Sequence, residues 1–74
     1  MDAIITTKTG KTLKAWNVSE VKSMDFSGNL YSLKAEKFKD FSMNDLNGNL
    51  TIVGNSIISV RPEDVETVKF DLAN

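Results

Sequence analysis

The sequence predicts an all-β protein, a small antiparallel meander of about seven short strands forming a curved sheet or barrel, interrupted by one or two single helical turns. Three observations carry this. Runs such as Ala3-Ile4-Ile5-Thr6-Thr7-Lys8 and Leu50-Thr51-Ile52-Val53 are rich in β-branched residues, too short for helices, and bounded by glycine and asparagine. Leu13 and Ala15 alternate with Thr12, Lys14 and Trp16 as the two faces of a strand do. The stretch Gly10 to Phe26, GKTLKAWNVSEVKSMDF, is also echoed 44 residues later by GNSIISVRPEDVETVKF, Gly54 to Phe70.

In chain order, the first strand leads through Thr9-Gly10-Lys11, where the glycine supplies a tight turn, into the second, Thr12 to Trp16, so the two make a hairpin. Val18, Val21 and Met24 are spaced by three, which predicts a single helical or 3₁₀ turn at Asn17 to Glu20 entering a strand that ends at Phe26. Ser27-Gly28-Asn29 is a turn signal, and Leu30 to Leu33 a returning strand. From Leu33 to Phe41 two patterns compete. Tyr31, Leu33 and Ala35 alternate as in a strand running to about Glu36, whereas Ala35, Phe38 and Phe41 recur every three residues, which gives an α+β alternative with a short helix at about 33–41.

Asn47-Gly48 between Leu46 and Leu50 predicts a hairpin, because both residues tolerate the positive φ of a two-residue turn. Gly54-Asn55 turns the chain again into Ser56 to Val60. Arg61-Pro62-Glu63-Asp64 places proline at a first helical position and acids in the first turn, and a last strand runs through Val65 and Val68 to Phe70. In the echo Gly10, Val21 and Phe26 match Gly54, Val65 and Phe70, with Leu13 facing Ile57. Both copies should be similar structures that bury their terminal phenylalanine.

Seventy-four residues make one domain, 1–74, near the size where a single core just suffices. With 41% hydrophobic and 26% charged residues, and neither a spanning apolar run nor a basic N-terminal leader, the chain reads as a cytoplasmic globular protein. It has no cysteine and no histidine, which excludes disulfides, thiolate nucleophiles, imidazole bases and the usual zinc sites. Eight lysines to one arginine, with seven asparagines, suggest an AT-rich bacterial or phage gene. The net charge of −1 divides unevenly: residues 1–39 carry seven basic and four acidic side chains, residues 40–74 two and six. Opposed halves attract within one molecule or between copies.

Gly10-Lys11-Thr12 looks like the end of a phosphate loop, but Ile5 stands where the first glycine is required and a strand follows instead of a helix. Ser19 and Lys22 fit a Ser-x-x-Lys pair without the helix and pocket that pair needs. A calcium loop through Asp45, Asn47 and Gly48 would place Met43 and Gly54 at ligand positions. Asn17-Val18-Ser19 is a formal glycosylation acceptor without a secretory signal. The acids Glu63, Asp64 and Glu66 cluster in an exposed turn where nothing raises a pKa. The chain therefore reads as no enzyme, and no metal or cofactor is expected.

The candidate binding residues are Lys8, Lys11, Lys14 and Trp16 on the first hairpin, with Lys22 and Tyr31. Cations interleaved with aromatics on a sheet suit a single-stranded nucleic acid. A second reading makes Trp16 a core residue, favoured by the apolar Val60 at its echo position, with the lysines guarding an edge strand from aggregation. The primary expectation is a non-enzymatic protein-interaction module and homo-oligomer, such as a phage or mobile-element accessory protein acting on a host protein. A single-stranded nucleic-acid binder is the alternative. A small-ligand module with a pocket between subunits is the third. No membrane partner is expected.

Overall fold

The computed structural model describes residues 1–24, 27–42 and 47–71. Among these, seven strands follow in order: β1 (Asp2–Thr7), β2 (Thr12–Ala15), β3 (Glu20–Met24), β4 (Leu30–Lys34), β5 (Leu50–Val53), β6 (Ile57–Val60) and β7 (Val65–Asp71). Two 3₁₀ segments, Ala35–Asp40 and Pro62–Asp64, complete the described elements. Every strand pairing is antiparallel. The first sheet has the order β2-β1-β7 and the second β4-β3-β5-β6, so the meander divides into two sheets.

The β1–β2 hairpin turns where expected. Gly10 takes φ +90° and donates its N–H to the Thr7 carbonyl at 3.0 Å, while the Lys11 N–H reaches the Thr7 hydroxyl. Gly28, at φ +83°, turns β3 into β4. Both positions need the left-handed backbone that glycine adopts without a Cβ penalty.

Three local expectations are corrected. Asn17 to Glu20 forms no helical turn: Asn17 alone enters the left-handed region, at φ 54°, a conformation asparagine tolerates. The bend lets the chain change partners, for the Val18 N–H bonds to the Met1 carbonyl in the first sheet and the Ser19 N–H to the Val53 carbonyl in the second. The strand expected to reach Glu36 stops at Lys34, and Ala35–Asp40 is 3₁₀. At three residues per turn that helix stacks Ala35, Phe38 and Phe41 on one side, which accounts for the spacing in the sequence. Asn47-Gly48 makes no positive-φ hairpin turn. It runs beside the end of β3 instead, with the Asn47 N–H on the Met24 carbonyl at 2.8 Å and the Gly48 carbonyl accepting from the Ser23 hydroxyl at 3.1 Å. Leu46, on the other side of that expected turn, lies outside the described residues.

The core is the set of inward residues of both sheets: Ala3, Ile5, Ala15, Val21, Leu50, Ile52 and Val65, closed by Val18 and by Phe38 from the 3₁₀ segment. Among the described residues Ser23 is the one buried polar residue, and its bond to Gly48 satisfies it. Phe70 is half-buried, stacked on Phe38 with centroids 4.7 Å apart and edge-on to Phe41 at 5.3 Å. Phe26 lies outside the described residues.

The echo has a topological counterpart. Each copy is the end of a three-strand unit, β1-β2-β3 or β5-β6-β7, in which the first two strands form a hairpin and the third pairs with the first strand of the other unit. Ala3↔Ala15 and Ile5↔Leu13 in one hairpin correspond to Leu50↔Val60 and Ile52↔Ile58 in the other. The exchanged ladders correspond too, Val21 facing Ile52 and Val68 facing Ile5. The ladders thus match Leu13 with Ile58, one residue beyond the ungapped sequence echo. The second unit turns through Pro62–Asp64 where the first uses Asn17.

Candidate interaction surfaces

On the outer face of the first sheet, the registers line up Thr12, Thr6 and Thr67 in one row and Lys14, Ile4 and Lys69 in the next. Trp16 follows β2 on the same face. It is 49% exposed, which overturns the core reading drawn from Val60; the strand alternation that buries Ala15 turns its neighbour outward. The Lys14 ammonium lies 5.5 Å from the Trp16 ring centroid and 3.9 Å from an Asp2 carboxylate oxygen. A cation over the indole face adds to the attraction between the two side chains.

The six candidate residues do not form one platform. Lys14 and Trp16 are neighbours. Lys8 and Lys11 flank the β1–β2 turn, beyond the far end of β2, with Lys11 about 17 Å from Trp16 at the usual rise per residue. Lys22 lies on the outer face of β3 in the second sheet, 3.7 Å from Glu20. Tyr31 is on β4 opposite Ser23 and packs against the core.

The outer face of the second sheet has a polar knot. Glu20 accepts a hydrogen bond from the Ser32 hydroxyl at 2.6 Å and lies 3.2 Å from Lys34 and 3.7 Å from Lys22. The Ser32 bond, then the Lys34 contact, hold its carboxyl below the ordinary value of 4.5. Glu20 and Lys34 are direct partners across β3–β4, so the knot ties the edge strand to its neighbour. It is open to solvent, and its chemical role is fastening.

Beside the knot, apolar side chains face water on the two edge strands. Leu30 on β4 is 86% exposed and directly opposite Met24, itself 41% exposed; Ile57 on β6 is 71% exposed. The sequence reading did not single out these three as exposed, although the signal was present. Inward alternation of Tyr31 with Leu33 sends Leu30 outward, and inward Ile58 with Val60 sends Ile57 outward.

Among the described residues no group of three His, Cys, Asp or Glu side chains converges to hold a metal ion, and no helix is long and apolar enough to cross a membrane. No protein-family model, curated protein or solved structure matches the chain.

Proposed function

We propose that this is a non-enzymatic interaction module that holds another protein along the edges of its second sheet. The observation that carries the reading is Leu30, an almost fully exposed leucine on edge strand β4 beside the exposed Met24. A lone surface leucine is ordinary. An edge strand carrying an exposed apolar side chain, here with an apolar neighbour across on β3, is what strand addition uses, with backbone bonds giving affinity and side chains giving specificity. Ile57 is a further exposed apolar side chain, on β6, the opposite edge of that sheet. The lysine- and asparagine-rich composition fits an accessory protein of a phage or mobile element acting on a host protein.

The test is affinity capture from bacterial lysate with the wild type, Leu30→Lys, Ile57→Lys and Trp16→Ala. The reading expects a captured protein that is lost with Leu30→Lys or Ile57→Lys and kept with Trp16→Ala. Both lysine variants change exposed positions and should retain the parent's circular dichroism, which is recorded beside the capture. A captured set unchanged across all four proteins rejects the reading.

A second reading, a single-stranded nucleic-acid binder, is favoured by the exposure of Trp16 under Lys14. Bases stack on exposed rings while lysines meet phosphates. It expects oligothymidylate to quench Trp16 fluorescence, with an affinity that falls steeply as salt rises. Unchanged emission at low salt removes it.

A further inference from the structure

The two edge strands of the second sheet carry one pattern. Leu30-Tyr31-Ser32-Leu33-Lys34, which is β4, and Ile57-Ile58-Ser59-Val60-Arg61, which is β6 and the residue after it, both read aliphatic, apolar, serine, aliphatic, cation. In each, the second and fourth side chains pack against the core, while the first, third and fifth stand on the outer face. Arg61 keeps an extended backbone, φ −82° and ψ 136°, so the alternation runs through it.

Single bonds fix which way these backbones point. The Val53 carbonyl faces β3, where it accepts from the Ser19 N–H, and the Gly54 N–H reaches the Ser56 carbonyl across the β5–β6 turn. Direction alternates residue by residue in an antiparallel ladder. Glu20 and Lys22 therefore face β5, Val21 and Ser23 face β4, and Ile52 faces β6. Tyr31 and Leu33 accordingly direct their N–H and C=O groups at β3, and Ile58 and Val60 theirs at β5. Leu30 and Ser32, like Ile57 and Ser59, point theirs to the open edge. On both edges the residues that offer backbone bonds are thus the ones whose side chains stand outside, and an added strand sets its own residues directly opposite that row.

The row defines what fits it. An aliphatic side chain opposite Leu30 or Ile57 covers apolar surface that now meets water. A hydroxyl residue opposite the serine pairs as Thr51 does with Ser59, at 3.3 Å. A carboxylate opposite Lys34 or Arg61 meets an exposed cation. On β4 the charge favours an added acid, because Lys22 and Lys34 both lie against the single Glu20; on β6, Asp64 balances Arg61 one to one. We propose that both edges take the same kind of ligand, an extended segment of a partner protein reading acid-x-hydroxyl-x-aliphatic and added antiparallel, so that one chain holds two such strands and β4 is the tighter site. This rests on the reading of the second sheet's edges as the binding surface, and adds to it the partner's chemistry, its register and a stoichiometry of two.

The test titrates the full chain with a capped synthetic decapeptide of alternating valine and threonine, in which one threonine is replaced by glutamate and the threonine four residues on by leucine. Calorimetry should give two peptides per chain, and Leu30→Lys and Ile57→Lys should each leave one. Changing the peptide's glutamate to lysine should weaken binding about two- to fivefold, the scale of an exposed ion pair. Methylating the peptide amides that face the edge should abolish it. Amide hydrogen exchange reads the same geometry: Leu30, Ser32, Ile57 and Ser59 should exchange fast in the free chain and slowly with peptide, whereas Leu33, Ile58 and Val60 should be slow in both. A single site, binding indifferent to both lysine variants, or no binding at all overturns the proposal. If lysate capture depends on Leu30 and Ile57 while the peptide never binds, the interaction module stands and this inference alone falls.

Discussion

A Cβ on Gly54 would stand 2.5 Å from the carbonyl oxygen of Trp16. It would also lie 3.3 Å from the Asn17 carbonyl oxygen and from the Val18 Cα, so the β5–β6 turn rests against the backbone where β2 bends toward β3. The Asn55 N–H donates to the same Trp16 carbonyl at 2.9 Å and fixes the approach.

Gly54→Ala should therefore destabilise the protein by about 2–3 kcal/mol, since backbone is what must yield. Gly10→Ala, with nothing near the added carbon, meets only the left-handed φ and should cost about 1–2 kcal/mol. Urea unfolding of both variants checks the order; equal losses contradict the close approach.

Asn17→Gly should leave stability nearly unchanged, whereas Asn17→Ala should cost about 1 kcal/mol and Asn17→Val more, because the bend at φ 54° penalises a branched Cβ. Thermal melts of the three variants make the comparison.

Phe70→Ala should cost about 3 kcal/mol, toward the low end for a phenylalanine because the ring is half-buried. Phe38→Ala should cost at least as much. The double variant should lose less than the separate losses together, by about 1 kcal/mol, as the stacked pair contributes beyond its buried area. Strict additivity would show that the stack adds nothing.

Glu20 sets an acid-side dependence. Its folded pKa lies below the ordinary 4.5, so its stabilising contribution is complete above that value and is lost as pH falls through the folded pKa. Ser32→Ala removes the leading cause and should move the Glu20 titration upward, toward 4.5, in a carboxylate-resolved NMR titration. Glu20→Gln should lower stability at neutral pH, where the carboxylate's contribution is complete, and flatten this part of the stability profile below pH 4.5.

Much of the fold was legible because short β-branched runs and alternation report directly on pleat and burial. Leu13 and Ala15 were read on one face of the second strand and Thr12, Lys14 and Trp16 on the other, and the ladders keep that division. Errors arose where a local signal met a non-local demand. Asn47-Gly48 has the local chemistry of a hairpin turn, but the end of β3 offered backbone partners at Met24, and the segment extended to take them. Val18, Val21 and Met24 showed helical spacing, yet the chain had to leave β1 for β5, and one left-handed residue was enough. The candidate site was less legible still. Lysines and aromatics can be counted in a sequence, but which sheet each joins depends on pairings such as Lys22 with Thr51 and Tyr31 with Ser23. The assignment of Trp16 to the core failed because the echo was aligned one residue out of step with the ladders.

The pairing of Asp2 with Asp71 joins the two ends of the described chain. Almost the whole polypeptide must be closed into a loop before that ladder can form, and loop closure precedes any gain from the contacts it permits. The two hairpins close only short loops, so they should form early and wait. Folding should be slow for so small a protein, in the range of milliseconds to seconds found for β topologies dominated by distant pairings.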